Sequence, residues 1–161
     1  MRNPVNETQF WKNRIEEAEA VKDLRLSVYR TPQEDWDYLC KVHRKICDEL
    51  IKPEDRVLDA ACAYGRLSEW FGGKYVGIDF SEDFIKKAKE LYPDREFYVQ
   101  DAKDTFFQDK EFDWAVCVSF KGMIERELGS AEWAKIEYEL KRVANKILLL
   151  EYSSPSIYEV I

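Results

Sequence analysis

Apolar residues recur along this chain in two rhythms, and the change from one to the other falls near residue 55. Before it, Trp36, Leu39, Cys40, His43, Ile46, Cys47 and Leu50 lie three and four positions apart, the stripe of a single helix face. Ahead of that stripe, Thr31-Pro32-Gln33-Glu34 reads as a capping box with proline at the first helical position. Trp11, Ile15, Ala18, Val21 and Leu24 give a weaker stripe and a first helix. After residue 55, short apolar runs alternate with helical stripes. Strands are predicted over 56–60, 74–79, 96–100, 112–119 and 146–152. Between them a short helix runs over 66–71 and stops at Gly72-Gly73. Ser81 caps a helix carrying Phe84, Ile85, Ala88 and Leu91 and ended by Pro93, and Ser130 caps one carrying Trp133, Ile136, Leu140 and Val143.

Strands separated by helices are joined by right-handed crossovers, which gives a parallel sheet covered on both faces. The predicted fold is therefore α/β: a doubly wound, mostly parallel sheet behind two N-terminal helices. No repeat, low-complexity tract or linker divides the chain, so residues 1–161 read as a single domain, with a helical cap over 1–52 and an α/β core over 53–161.

Composition narrows the partners. Lys and Arg number 25 against 32 Asp and Glu, a formal charge of −7. The first 52 residues balance at ten and ten, so the whole excess falls on 53–161. Such a surface repels phosphate backbones and disfavours nucleic acid. Apolar runs are too short to cross a bilayer, and the opening Met1-Arg2-Asn3-Pro4-Val5-Asn6-Glu7 carries no secretory signal, so the expected setting is cytoplasmic with no membrane partner. Cys40, Cys47, Cys62 and Cys117 form no C-x-x-C pair and read as buried small hydrophobes; with one histidine, no metal site is expected. That histidine, His43, sits on an apolar stripe and reads as a packed core residue.

Ligands of such sheets bind at the carboxyl ends of strands. The first strand runs into Asp59-Ala60-Ala61-Cys62-Ala63-Tyr64-Gly65-Arg66, a tight strand-to-helix turn. The G-x-G-x-x-G spacing that cradles a pyrophosphate is absent, and Asp59 stands where an anion would have to come. A carboxylate there favours a cationic, phosphate-free ligand; S-adenosylmethionine, with its ammonium and sulfonium, is one. Asp79 lies twenty positions on, at the end of the second strand, suited to accept from both ribose hydroxyls. Asp101 follows the third strand, where it can accept from an adenine amino group. Three acids at three successive strand ends weigh more than any one of them.

The run Val57-Leu58-Asp59-Ala60-Ala61-Cys62-Ala63-Tyr64-Gly65-Arg66, with Tyr75-Val76-Gly77-Ile78-Asp79-Phe80-Ser81, resembles the Rossmann-like S-adenosylmethionine-dependent methyltransferases. The likeness continues through Phe97 to Asp101, Phe112-Asp113-Trp114-Ala115-Val116-Cys117 and Leu140-Lys141-Arg142-Val143. It implies that Asp59 faces the methionine amino group, directly or through water, and that Ala61, Ala63 and Gly65 form the turn beneath methionine and ribose. It further implies that Asp79 holds the ribose, Phe80 flanks the adenine, Asp101 and Ala102 read the adenine edge, and Ser119 borders the transferred methyl.

Two departures stand out. Where the family carries three alternating glycines, this chain has Ala61 and Ala63 before Gly65. Either those methyls crowd the ligand, at about 1–3 kcal/mol, or the backbone takes negative φ there at almost no cost. Past the fifth strand only 153–161 remain, where the family continues into a helix and an antiparallel hairpin. The expected sheet is thus five-stranded, ordered 3-2-1-4-5 and shortened at the C-terminus. Its fifth strand lies at an edge that the apolar tail covers or that pairs in a homodimer or hetero-oligomer.

The segment Ser119-Phe120-Lys121-Gly122 lacks the Pro-Pro-aromatic and Pro-Cys signatures of DNA-base methyltransferases. Tyr29, Tyr64, Lys121, Glu125 and Tyr152 are the acceptor-side candidates, and no catalytic base is assigned. The sequence thus points to a small-molecule methyltransferase using S-adenosyl-L-methionine. Its alternatives are a cofactor-binding regulatory or partner subunit without transferase activity, and an enzyme using the same cofactor for cleavage or aminopropyl transfer.

Overall fold

The computed structural model describes residues 4–29, 32–72, 74–154 and 156–161, with side chains from residue 9 onward. Helix α1 spans Pro4–Ala20 and α2 spans Gln33–Leu50. The first helix stops earlier than its stripe suggests: Val21 is exposed, and Leu24 opens a separate 3-10 turn, Leu24–Ser27. Pro32 stands one residue outside α2 in extended conformation (ψ 150°) rather than inside it. Thr31, expected as the cap, and Gly73, expected in the glycine stop, lie outside the described residues. Along α2 the stripe is realised, with Trp36, Leu39, His43, Ile46 and Cys47 all buried.

The core strands are β1 (Val57–Ala60), β2 (Tyr75–Asp79), β3 (Glu96–Val99), β4 (Phe112–Val118) and β5 (Ala144–Leu150). A sixth, β6 (Tyr158–Val160), completes a sheet ordered β3-β2-β1-β4-β5-β6. Strands β1 to β5 are parallel, and β6 runs antiparallel to β5, pairing Leu148 with Val160 and Leu150 with Tyr158. The five-stranded expectation is corrected here. The tail does cover β5, but as a strand of the same chain, so β5 is not an edge.

The connections also differ in detail. The expected helix at 66–71 is a 3-10 turn, Arg66–Glu69. Helix α3 (Glu82–Leu91) starts as read, the Ser81 hydroxyl accepting from the Phe84 N–H. Between β4 and β5 stand two helices where the pattern showed one: α4 (Phe120–Glu127) and α5 (Ser130–Val143). Helix α4 buries only Phe120 and Ile124, too short a stripe to register as a period. Gly129 occupies the cap position of α5, and Ser130 is its first helical residue. Strand β5 begins at Ala144 rather than at 146, with no loop after α5, and ends at Leu150.

Alternation along the strands sorts the core into two layers. Val57, Tyr75, Phe97, Trp114, Val116, Leu148 and Leu150 pack on the side that carries α2 and α3. Leu58, Val76, Ile78, Ala115, Cys117, Ile147 and Leu149 pack on the side that carries α4 and α5. The sheet is thus doubly wound. Helix α1 rests on α3 through Ile15 and Phe84, with Trp11 beside them. Among the described residues no helix is long and apolar enough to cross a membrane.

Candidate functional site

The chain leaves the carboxyl end of β1 through a turn in which Ala61, Ala63 and Gly65 all take left-handed backbone, with φ of 63°, 49° and 79°. That conformation suits glycine and costs an alanine about 1–2 kcal/mol. The turn therefore keeps the shape of three glycines, and the two alanines carry the strain. Its backbone is tied down: the Cys62 N–H donates to the Ile78 carbonyl at 2.9 Å, and the Gly65 N–H to the Cys62 carbonyl at 2.9 Å. Gly65 and Gly77 both lie against the Phe97 ring, where a β-carbon would fall 2.6 and 2.7 Å from it.

Asp79 ends β2 and braces this turn. One carboxylate oxygen accepts the Ala63 N–H and the other the Ser81 N–H, each at 3.0 Å. A carboxylate offers about four lone-pair directions, so two remain for a ligand. Asp79 is only 7% exposed, and burial pushes its pKa up to about 6 against the pull of those two N–H groups. Asp59 pairs in register with Gly77, which puts it on the same face as Asp79. It is 2% exposed and accepts the Tyr75 hydroxyl at 2.7 Å. Burial raises it too to about 6, with the Tyr75 bond and the Arg66 charge opposing and Asp79 adding to the rise. Among the described residues neither acid has a basic group within ion-pair distance. Two buried acids on one face without a basic partner favour the arrival of positive charge.

The other residues expected on the cofactor side lie just after the ends of β2, β3 and β4. Phe80, next to Asp79, keeps 40% of its surface exposed. Asp101 is exposed; one oxygen accepts the Lys103 N–H at 2.9 Å, and its carboxylate lies 3.5 Å from the Lys103 ammonium. Ala102 is buried in the layer that holds Phe107. Ser119 joins β4 to α4 in left-handed conformation (φ 52°), its N–H donating to Leu150 and its hydroxyl accepting the Tyr152 N–H at 2.8 Å.

On the acceptor side, the structure brings together only part of the expected set. Tyr29 and Tyr152 face each other, ring centres 4.5 Å apart, with Trp36 at 5.7 and 5.9 Å from them. Tyr64 is buried with Ile15 and Phe84, and it lies within electrostatic reach of Arg66 and Tyr152. Lys121 is bound to Glu159 of β6 at 3.1 Å, and Glu125 is exposed further along α4. His43 is fully buried, its Nε2 3.3 Å from the Glu151 carbonyl; burial and the Arg66 charge lower its pKa to about 4.

The sequence pattern assigns no site role to Arg66 or Trp36. The Arg66 guanidinium lies 4.9 Å from the Trp36 ring, 5.3 Å from Trp70 and 5.8 Å from Tyr152. A cation gathered among rings from residues 36, 70 and 152 leaves no periodic trace. The only signal was its place directly after Gly65.

The comparisons bear on the family and the fold. A family model described as a methyltransferase domain matches residues 57–145. The methyltransferase candidate 235L of Invertebrate iridescent virus 6 is 33% identical over 92 residues, 53% of this chain and 33% of that protein. The demethylmenaquinone methyltransferase of Paenarthrobacter aurescens (strain TC1) is 29% identical over 112 residues, 66% of this chain and 42% of that one. A solved SAM-dependent methyltransferase from Methanosarcina mazei superposes with a TM-score of 0.58 at 25% identity, covering 65% of this chain and 55% of that chain. The matched stretches span about a third to two fifths of the curated relatives' length.

Proposed function

The chain belongs to the methyltransferase-domain family, and from that premise we propose that it transfers a methyl group from S-adenosyl-L-methionine to a small-molecule acceptor. The observation that carries this reading is the Asp79 carboxylate. It is fixed by the Ala63 and Ser81 N–H groups, has lone pairs to spare, and shares one sheet face with Asp59. These residues fit the cofactor: a phosphate-free, cationic adenosine derivative suits two buried acids that lack a basic partner.

When bound, the cofactor supplies an electrophilic methyl on a sulfonium. The chain's own residues bind and orient. Asp79 accepts the ribose hydroxyls, Asp59 lowers the energy of positive charge above the turn, and Ala61, Ala63 and Gly65 shape the floor. The exposed face of Phe80 is available to the adenine, Asp101 and Ala102 to its edge, and Ser119 to the methyl side. Much of the catalysis is then positioning and desolvation.

The acidic balance of the chain supports a small molecule over nucleic acid. Cys40, Cys47, Cys62 and Cys117 are all free thiols, which supports a reducing, cytoplasmic setting. A homodimer or hetero-oligomer on this side of the sheet would meet the outer edge of β6 rather than β5.

Titration calorimetry with S-adenosylmethionine and S-adenosylhomocysteine tests the reading. Asp79→Ala is expected to weaken both about 10- to 100-fold, the loss of about 1.5–3 kcal/mol of hydrogen bonding to a charged group. Unchanged affinity would remove Asp79 from the site, and no binding of either compound at millimolar concentration would sink the function.

A further inference from the structure

Arg66 follows the proposed cofactor turn directly, and its surroundings are unusual for a cation. Its faces are covered by Trp36, Trp70 and Tyr152. Among the described residues its edge reaches only neutral atoms: Nη2 donates to the Tyr152 hydroxyl at 3.2 Å and Nη1 to the Cys40 sulfur at 3.7 Å. A guanidinium carries five donors, and carboxylates or phosphates are the groups that match its fork. Other arginines of this chain have such a partner: Arg56 pairs with Glu111, and Arg142 with Glu139 and Asp109. Asp59 acts on Arg66 only through space, beyond ion-pair distance. Largely covering a cation without an anion is costly, and an arriving oxyanion reverses that cost.

Position gives the oxyanion its owner. Tyr152 follows β5, and its N–H is held by Ser119 at the end of β4. Arg66 therefore stands between the turn after β1 and the ends of β4 and β5, with Trp36 over the guanidinium and Tyr29 packed on the Trp36 and Tyr152 rings. Charge is sorted across the site: Asp59 and Asp79 attract the cationic ligand, and Arg66 is left for an anionic one. His43, stacked on the same Tyr152 ring, has a buried Nδ1 with no hydrogen-bond partner, a second unanswered polar atom at this spot.

We propose that Arg66, framed by Tyr29, Trp36 and Tyr152, is the oxyanion-binding end of the acceptor site, so that the acceptor is a small molecule bearing a carboxylate or a phosphate. This rests on the cofactor lying in the adjoining turn, and the test separates the two claims. Arginine Nε–H signals of the full ¹⁵N-labelled chain are followed by NMR during titration with sodium phosphate and with sodium benzoate. Sodium chloride at matched ionic strength is the control, and each series is run with and without saturating S-adenosylhomocysteine.

The expected result is a saturable, anion-specific shift of the Arg66 signal that survives S-adenosylhomocysteine. R66Q, which removes and so assigns that signal, should bind S-adenosylhomocysteine within about twofold of wild type; by calorimetry it should lose phosphate and benzoate binding, and R66K, which keeps the charge but not the planar fork, should bind them about tenfold more weakly. No anion-specific shift in the wild-type chain overturns the proposal. So does a response that S-adenosylhomocysteine erases, because the guanidinium then serves the cofactor's own carboxylate. Failure of S-adenosylhomocysteine to bind sinks the cofactor reading and leaves the anion titration to decide on Arg66. Should R66Q not fold, the wild-type titrations decide alone.

Discussion

Ala61 and Ala63 hold a backbone that favours glycine, and the turn accepts the strain because Asp79 and Ile78 fix it from the neighbouring strand. Glycine at either position relieves about 1–2 kcal/mol of left-handed strain and loses part of it to the entropy of a freer unfolded chain. Ala61→Gly and Ala63→Gly are each expected to raise the unfolding free energy by about 0.5–1 kcal/mol in urea melts. A drop would mean that the methyls contribute packing that outweighs the strain. Tyr75 offers a second case. Its hydroxyl is the donor that moderates the buried Asp59, and Tyr75→Phe is expected to cost about 1–3 kcal/mol at pH 7. The loss should shrink at pH 5, where Asp59, with its pKa near 6, is mostly protonated. Equal losses at the two pH values would remove the charge argument. The sign for the intact protein follows from the same shifts. Asp59 and Asp79 keep protons in the folded state that the unfolded chain has released, so their contribution falls as pH rises from about 4 to about 6. His43, lowered to about 4, works the other way: its contribution is full above the unfolded value of about 6.5 and is lost as pH falls towards 4.

At the level of elements, one carboxylate of α5 gathers several hydrogen bonds at the loop between β3 and β4. Glu139 accepts the Thr105 N–H at 2.8 Å, the Thr105 hydroxyl at 2.7 Å and two Arg142 donors, while Arg142 also reaches the Phe107 carbonyl and Asp109. Hydrogen bonds from Arg142 and then Thr105 hold the Glu139 pKa down to about 2, so its contribution is present above the ordinary carboxylate range and fades as pH falls through about 2. Glu139→Ala strands Thr105 and Arg142 together and is expected to cost about 2–4 kcal/mol by thermal or urea melting at pH 7. A loss under 0.5 kcal/mol, the ordinary surface range, would show the network to be incidental. Periodicity cannot expose such a residue. It made Leu140 and Val143 legible, because burial repeats every three or four positions, and it left Glu139, just before Leu140, unread, because a hydrogen-bond acceptor does not repeat. For the same reason β1 to β5 and α3 stood out in the sequence, whereas α4, with two buried residues, did not. The three strand-end acids were legible through their spacing; the ring cage around Arg66 is assembled only by tertiary packing.

For the molecule as a whole, the edge of the sheet is where another chain could pair. Strand β6 shields β5 with three residues and is itself exposed at Tyr158 and Val160, next to Ile157. Removing residues 157–161 uncovers the Leu148–Leu150 segment of β5, an apolar edge open to pairing with another chain. The shortened protein is expected to aggregate or self-associate in light scattering at concentrations where the full chain does not. A monodisperse, equally stable truncation would show that β6 is not protective. The apolar tail left two readings open, covering this edge or pairing with another chain, since three exposed residues carry too little alternation to be told from a loop. The Phe97 ring has a wider consequence, because it fills the space in which side chains at two other strand positions would have to begin. Positions 65, 77 and 97 are thereby interlocked in evolution: a β-carbon becomes tolerable at either glycine only after the ring has shrunk, and a smaller ring alone leaves a hole beneath the turn. Any viable path through sequence space has to move the three in concert.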